Sequence, residues 1–82
     1  MPENAATKML TNLGGRVRRR RMELGMTQSQ LADAIGCHQP DVSEIEWGKG
    51  QPRLVLLHDL ACALGVPPGY FLDDPPSLDR TL

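Results

Sequence analysis

Residues 27–50 read TQSQLADAIGCHQPDVSEIEWGKG, and this stretch decides the fold because it predicts two short helices. Thr27 is a favourable N-cap residue for the first of them. Leu31 and Ile35 follow four residues apart and therefore share one face of that helix. Gly36 then supplies the backbone freedom that ends it.

The second helix of the pair is predicted over residues 39–47. Pro40 is compatible with it because a proline is tolerated in the first turn, where its missing N–H would have no partner. Val42 and Ile45 mark the face that turns inward. A glycine-containing turn at residues 36–38 joins the two helices, which is the spacing of motifs that present their second helix to the major groove of DNA.

A further helix is predicted before this pair. Leu10, Leu13, Val17 and Leu24 follow helical spacing with arginines on the other faces, and Gly25 is a suitable left-handed cap. We therefore expect structure to begin near Leu10.

The remaining elements follow residue 50. Apolar side chains among residues 57–64 form a stripe on one face of a predicted helix, which ends at Gly65. Pro67 and Pro68 follow and predict a short turn. The predicted fold class is all-α, a compact bundle of about five short helices. We expect a flexible N-terminal arm over residues 1–9, with a possible extra helical turn at 5–9, a single domain over 10–74 and a C-terminal tail over 75–82.

Composition limits the class of protein. Eighty-two residues suffice for one small domain without a separate effector-binding domain, and with 4% aromatic residues the core must be mainly aliphatic. No segment resembles a membrane span or a signal peptide, so a cytoplasmic location is expected. Cys37 and Cys62 are expected to be free thiols.

The net charge of −1 hides an uneven distribution of charge. Residues 1–25 carry Lys8 and five arginines against two glutamates, whereas residues 54–82 carry Arg80 against four aspartates. The chain is therefore basic at one end and acidic at the other, and a weak overall charge does not exclude nucleic acid as a partner.

Residues 13–72 resemble the Cro/CI-type (XRE-like) helix-turn-helix family. The matching positions are Thr27-Gln28, Leu31-Ala32, Gly36, Val42-Ser43, Ile45-Glu46, Gly48, Pro52 and Leu64-Gly65-Val66. The resemblance implies a lambda-repressor-like domain that binds double-stranded DNA and regulates transcription, with repression as the expected sign. Two positions depart from the family pattern, since His38 replaces the usual Ser or Thr and Pro40 replaces a polar contact residue.

The resemblance also implies which side chains meet DNA. The expected base contacts are Gln39, Pro40, Ser43 and Glu44. The expected phosphate contacts are Thr27, Gln28, Trp47, Lys49 and Arg53. By chemistry, Gln39 suits adenine and Glu44 suits cytosine, while Pro40 offers only van der Waals contact.

Two structural roles are carried over in the same way. Arg21 and Glu46 occupy positions that the family pairs in a salt bridge. The segment Tyr70, Phe71 and Leu72 is expected to contribute to a homodimer interface, together with the loop after the second helix of the motif. The dimer should bind an inverted repeat whose half-sites lie one helical turn apart.

Other function classes receive less support. No phosphate-binding loop, GxSxG or HExxH motif is present, so neither an enzyme nor a cofactor is expected. A protein-interaction module, such as an antitoxin that binds a toxin through the C-terminal segment, stays open as the alternative. His58 and Cys62 stand four apart, but without a two-by-two ligand spacing no metal site is expected, and a metal or redox sensor is the weakest reading.

Overall fold

The computed structural model describes residues 5–72, and its regular structure within them is helical. The elements are α1 (Ala5–Glu23), α2 (Gln28–Ile35), α3 (Gln39–Glu46), α4 (Leu54–Leu64) and a 3-10 turn at Pro68–Phe71. The predicted all-α class is confirmed, with four α-helices and one short turn in place of about five helices. The predicted tail over residues 75–82 lies outside the described residues.

The start of α1 differs from the predicted arm. The helix begins at Ala5, so residues 5–9 form the extra helical turn that the sequence left open, and residues 1–4 of the expected arm lie outside the described residues. Alanine, lysine and methionine are strong helix formers, so their intrinsic propensity accounts for this turn. The apolar spacing that predicts the rest of α1 does not extend to it. Leu24 also departs from the predicted apolar face, since it follows the helix end at Glu23 and is 43% exposed.

The core is the aliphatic cluster that the composition predicts, with one aromatic ring added. Its members come from all four helices and the 3-10 turn: Leu13, Val17, Leu31, Ala32, Val42, Ile45, Leu60, Ala61, Leu64 and Phe71. Val42 and Ile45 face inward, as their spacing predicts. Burying this face fixes which side of α3 is left for solvent.

Caps set the ends of α2 and α3 and thereby the turn between them. The Thr27 hydroxyl accepts a hydrogen bond from the Gln30 backbone N–H, and the Gln30 side chain accepts one from the Thr27 N–H. Gly36 ends α2 at a φ of 74°, which is the left-handed region. At the start of α3, the Asp41 carboxylate accepts from the His38 N–H at 3.1 Å, so an acidic residue caps this helix although His38 replaces the usual hydroxyl residue.

α1 crosses α3 at a glycine. Gly14 is buried, and a β-carbon at this position would meet the backbone carbonyl groups of Ile45 and Glu46 at the end of α3. The absence of a side chain therefore lets the two helices approach closely. This contact holds α3 against the body of the domain.

Among residues 5–72, no helix combines the length and apolar character that crossing a membrane requires.

Candidate nucleic-acid interface

The outward face of α3 carries the side chains expected to contact bases. Gln39, Pro40 and Glu44 are exposed, and Ser43 is partly buried. Trp47 follows the helix and is 75% exposed, which is unusual for an indole and leaves its N–H free to reach a partner. The structure therefore places all five on or beside one accessible surface.

Beneath this surface the structure brings together Arg21 of α1 and Glu46 of α3. The guanidinium makes two bonds to the carboxylate, Nε to Oε2 at 2.6 Å and Nη2 to Oε1 at 3.0 Å. Arg21 also donates from Nη1 to the Met26 carbonyl at 2.8 Å. The side chains are 12% and 3% exposed, so this is a largely buried, bidentate ion pair. Hydrogen bonding to Glu46 raises the pKa of Arg21 further above its ordinary value, despite the opposing effect of burial.

The ion pair continues outward through two glutamines. Gln28 donates from Nε2 to Glu46 Oε1 at 3.0 Å, and its own Oε1 accepts a hydrogen bond from Gln39 Nε2. Four side chains thus form a hydrogen-bonded chain from the largely buried Arg21 to the exposed Gln39. The sequence pointed to the ion pair through the family resemblance but not to the glutamine contact, because residues 28 and 39 meet only through the crossing of α2 and α3.

The residues expected at phosphates surround this face. Thr27 is exposed at the N-terminus of α2, where backbone N–H groups favour an anion. Its hydroxyl acts as the acceptor in the cap with Gln30, so that bond does not use the hydroxyl hydrogen. Lys49 and Arg53 are exposed on the loop between α3 and α4. Gln28 is half-buried, and its amide already bonds to Glu46 and Gln39, which leaves one Nε2 hydrogen for a phosphate.

Two arginines of α1 connect this helix to the C-terminal half of the domain, a role that the sequence did not reveal. Arg16 donates to the Tyr70 carbonyl at 2.9 Å and lies over the Tyr70 ring, with 5.7 Å from the guanidinium carbon to the ring centroid. Arg20 donates from Nε to the Leu64 carbonyl at 2.9 Å, near the end of α4. These arginines therefore stabilise the fold.

The segment expected at a dimer interface needs correction at one residue. Phe71 is 1% exposed and packs in the core, where it meets the Tyr70 ring edge-on with centroids 5.4 Å apart, so its side chain cannot reach a second copy. Tyr70 is half-buried and Leu72 is 47% exposed. Greater apolar exposure lies at the start of α4, where Leu54 is 79% and Val55 is 72% exposed.

One cysteine lies in the turn between α2 and α3, and the other lies on α4. Cys37 is partly buried, and both burial and the nearby Asp41 carboxylate raise the pKa of its thiol. Cys62 is exposed on α4, beside His58 of the same helix. No group of three histidine, cysteine, aspartate or glutamate side chains within residues 5–72 is arranged to hold a metal ion.

A two-helix motif with a capped, exposed second helix and a polar outer face is the arrangement of a helix-turn-helix domain that binds DNA. Comparisons with known proteins agree. The sequence pattern of the helix-turn-helix family matches residues 17–71. The chain therefore belongs to the helix-turn-helix family, in its Cro/CI-type (XRE-like) branch, and is a DNA-binding transcriptional regulator rather than an enzyme.

Relatives show the same class. An HTH-type transcriptional regulator of Methanothermobacter thermautotrophicus is 41% identical over 49 residues, which are 60% of this chain and 71% of that protein. A transcriptional regulator in the ATPase CF(0) region of Rhodospirillum rubrum is 38% identical over 63 residues, which are 77% of this chain and 58% of that protein. This chain thus spans little more than half the length of the second relative.

Solved structures show the same fold. The restriction-modification controller protein C.AhdI of Aeromonas hydrophila superposes with a TM-score of 0.73 at 32% identity, over 76% of this chain and 94% of that one. The P22 c2 repressor, solved in complex with a synthetic operator, superposes with a TM-score of 0.71 at 32% identity, over 73% of this chain and 91% of that one. The lambda-repressor-like fold expected from the sequence is therefore confirmed.

Proposed function

We propose that this protein is a sequence-specific transcriptional repressor that binds an inverted-repeat operator as a homodimer, with α3 in the major groove. The observation that carries the proposal is the hydrogen-bonded chain that ends at Gln39. It holds an exposed amide at the first position of α3, where a base edge can reach it.

The donor and acceptor groups that Gln39 has left after bonding to Gln28 indicate which base this side chain can contact. Its amide has two donor hydrogens and one acceptor oxygen, and one hydrogen is used by Gln28. One donor hydrogen and the acceptor oxygen remain for another partner. Adenine presents the complementary pair in the major groove, an N7 acceptor beside an N6 donor. We therefore assign adenine to Gln39.

The other positions on α3 add different kinds of contact. Glu44 is exposed and accepts hydrogen bonds only, which suits the amino group of cytosine. Pro40 presents an apolar surface for a thymine methyl group. Ser43, partly buried, is restricted to a base edge that approaches closely.

The charges of this face favour selectivity over general affinity for DNA. Glu44 and Asp41 place acidic groups on α3, where they repel phosphates on any sequence. Glu46, in contrast, is neutralised by Arg21 and does not add to this repulsion. The attraction to the sugar-phosphate backbone of DNA comes from Lys49 and Arg53 on the following loop, together with the N-terminus of α2 and Trp47.

Two substitutions separate base reading from backbone attraction. Gln39→Ala should reduce discrimination at one base pair of each half-site by about 1 to 3 kcal/mol, because the adenine loses its bidentate partner. Lys49→Ala should weaken binding to all sequences alike and reduce the salt slope by about one per protomer. Binding titrations on a matched operator and on its single-base variants, at several salt concentrations, measure both effects. A uniform loss in Gln39→Ala, with discrimination intact, would remove the basis of the proposal.

Small size and an exposed apolar surface support the homodimer. A single module of this kind buries about 600 to 1,000 Å² of its surface on DNA. Because so small an interface limits the affinity of one copy, a second copy on the same operator provides the rest. We assign the contact to Leu54 and Val55, which are adjacent, strongly exposed and placed directly after the loop that follows α3. Leu72 stays a candidate at the margin.

The double variant Leu54→Glu/Val55→Glu should be monomeric, because like charges would face each other across the two-fold axis. Met22→Glu is the matched control, since Met22 is also exposed, at 56%, but lies on α1. Sedimentation velocity measures the association state, and far-ultraviolet circular dichroism shows that each variant is folded. A double variant that dimerises as tightly as Met22→Glu contradicts this assignment.

Repression is the sign that one structural neighbour favours, since the P22 c2 protein is itself a repressor. A compact domain on an operator blocks polymerase sterically and needs no further part. The alternative, a module that binds a protein partner through its C-terminal segment, loses support because Phe71 is committed to the core.

A further inference from the structure

We propose that His38, in its protonated form, contacts a phosphate of DNA and makes binding stronger as the pH falls. The inference rests on the proposed function and deepens it, because it names a further contact residue and the condition under which that residue acts. His38 is the N-cap residue of α3, directly before Gln39. In helix-turn-helix complexes the N-terminal residues of the recognition helix are those that contact the bases in the major groove. His38 therefore lies at the end of α3 that enters the groove.

The DNA-binding helix has no permanent positive charge of its own. Residues 38–47 contain no lysine or arginine, while Asp41 and Glu44 are exposed acidic residues. Glu46 is also acidic, but its carboxylate is neutralised in an ion pair. Histidine is the one side chain in this stretch that can become positive, because its charge changes between about pH 5 and pH 8. Protonation of His38 thus gives this helix its single positive charge.

The imidazole of His38 is placed to reach a partner outside the domain. A serine or threonine at an N-cap usually accepts a hydrogen bond from the first turn of the helix. In α3 the Asp41 carboxylate accepts a hydrogen bond from the His38 backbone N–H at 3.1 Å, which fixes the backbone of the N-cap without using the ring. The residue is exposed to solvent. A protonated imidazole donates from both ring nitrogens, which suits the oxygen atoms of a phosphate.

Neighbouring groups do not produce the same dependence on pH. Burial and the Asp41 carboxylate raise the pKa of the Cys37 thiol, which therefore stays uncharged at neutral pH. The titratable side chain of α2 is Asp33, and carboxylates lose their charge only well below about pH 6. α1 meets the opposite end of α3, where Arg21 is bonded to Glu46 and keeps its charge. The imidazole is therefore the group at this end of α3 whose charge changes near neutral pH.

The sign of the effect follows from the charge of the phosphate. A phosphate attracts an imidazolium and not a neutral imidazole, so binding of DNA is coupled to uptake of a proton by His38. Affinity should therefore rise as the pH falls, by about threefold to tenfold for each protomer between about pH 8 and about pH 6. The slope of affinity against salt should also steepen by about one for each protomer, because one more counterion is released from the DNA.

Binding titrations of the full-length chain on its selected operator, at several pH values and several salt concentrations, test the proposal. The wild type should show the rise in affinity and the steeper salt slope at low pH. His38→Asn should bind at every pH with the affinity that the wild type has at high pH. His38→Arg, which carries a permanent charge, should lose the pH dependence and bind tightly throughout.

His58→Gln is the matched control, because His58 is the other histidine of the chain and lies on α4 with a side chain that is 66% exposed. It should keep the pH dependence of the wild type, and circular dichroism at each pH shows whether the variants are folded. The proposal is overturned if the wild-type affinity does not change with pH, if the change persists in His38→Asn, or if His58→Gln abolishes it.

Failure of the proposed function gives a different result. A wild-type protein that selects no operator contradicts sequence-specific binding, but the same pH titration on a random duplex still tests His38, because phosphates occur in every sequence. A pH dependence restricted to one base-pair variant of the operator would overturn the phosphate contact, since it would place the imidazolium at a base edge instead.

Discussion

Replacing Arg21 by methionine should lower the free energy of unfolding by about 3 to 5 kcal/mol, because it leaves the buried carboxylate of Glu46 without its cation. Methionine keeps much of the volume of arginine, so the loss is mainly electrostatic. Glu46 is only 3% exposed and retains a single hydrogen bond from Gln28. A domain of this length has a total stability of about 4 to 12 kcal/mol, so the variant should be close to unfolding.

Urea denaturation of wild type and Arg21→Met measures this loss, and Arg19→Met is the matched control on the same helix. Arg19 also pairs with a glutamate, Glu23, at 3.6 Å, but the two side chains are 79% and 49% exposed. Water screens such a pair, and its removal should cost less than about 1 kcal/mol. Equal losses in the two variants would show that burial of the Arg21 pair does not matter as argued.

Gly14→Ala should destabilise the domain by about 1 to 3 kcal/mol or more, because the added methyl group has no room at the crossing of α1 and α3. Its β-carbon would lie 2.7 Å from the Glu46 carbonyl oxygen, and backbone atoms cannot move aside like the end of a flexible side chain. Displacing α3 would also disturb Gln39, so affinity for an operator should fall together with stability.

Gly15→Ala provides a control with the opposite sign. A β-carbon at Gly15 meets nothing within 4 Å, so only the helix propensity changes, and alanine is favoured over glycine by about 0.5 to 1 kcal/mol inside a helix. Thermal unfolding of the two variants should shift the melting temperature in opposite directions. A stabilised Gly14→Ala variant would mean that α1 and α3 are farther apart than described.

How much of this could be predicted from the sequence depends on the range of each interaction. The ends of α2 were predictable because Thr27 and Gly36 act through local caps, and the inward face of α3 because Val42 and Ile45 follow the helical period. The buried ion pair of Arg21 was implied only by the family resemblance.

Other features depend on how helices cross and had no local signal. Adjacent glycines in α1 look alike in the sequence, yet only Gly14 meets another backbone. Phe71 belongs to a short segment without a period, which does not reveal whether its ring is buried or exposed. The contact between Gln28 and Gln39 exists only because α2 and α3 bring their N-terminal ends together.

The most direct test of the central claim is selection of bound sequences from a random pool of DNA duplexes by the wild-type protein at near-physiological salt. The account predicts enrichment of an inverted repeat, with half-sites about 10 base pairs apart from centre to centre and an adenine in each half-site that is no longer selected by Gln39→Ala. A pool that shows no enrichment, with only weak and salt-sensitive binding, would contradict the claim that α3 reads an operator.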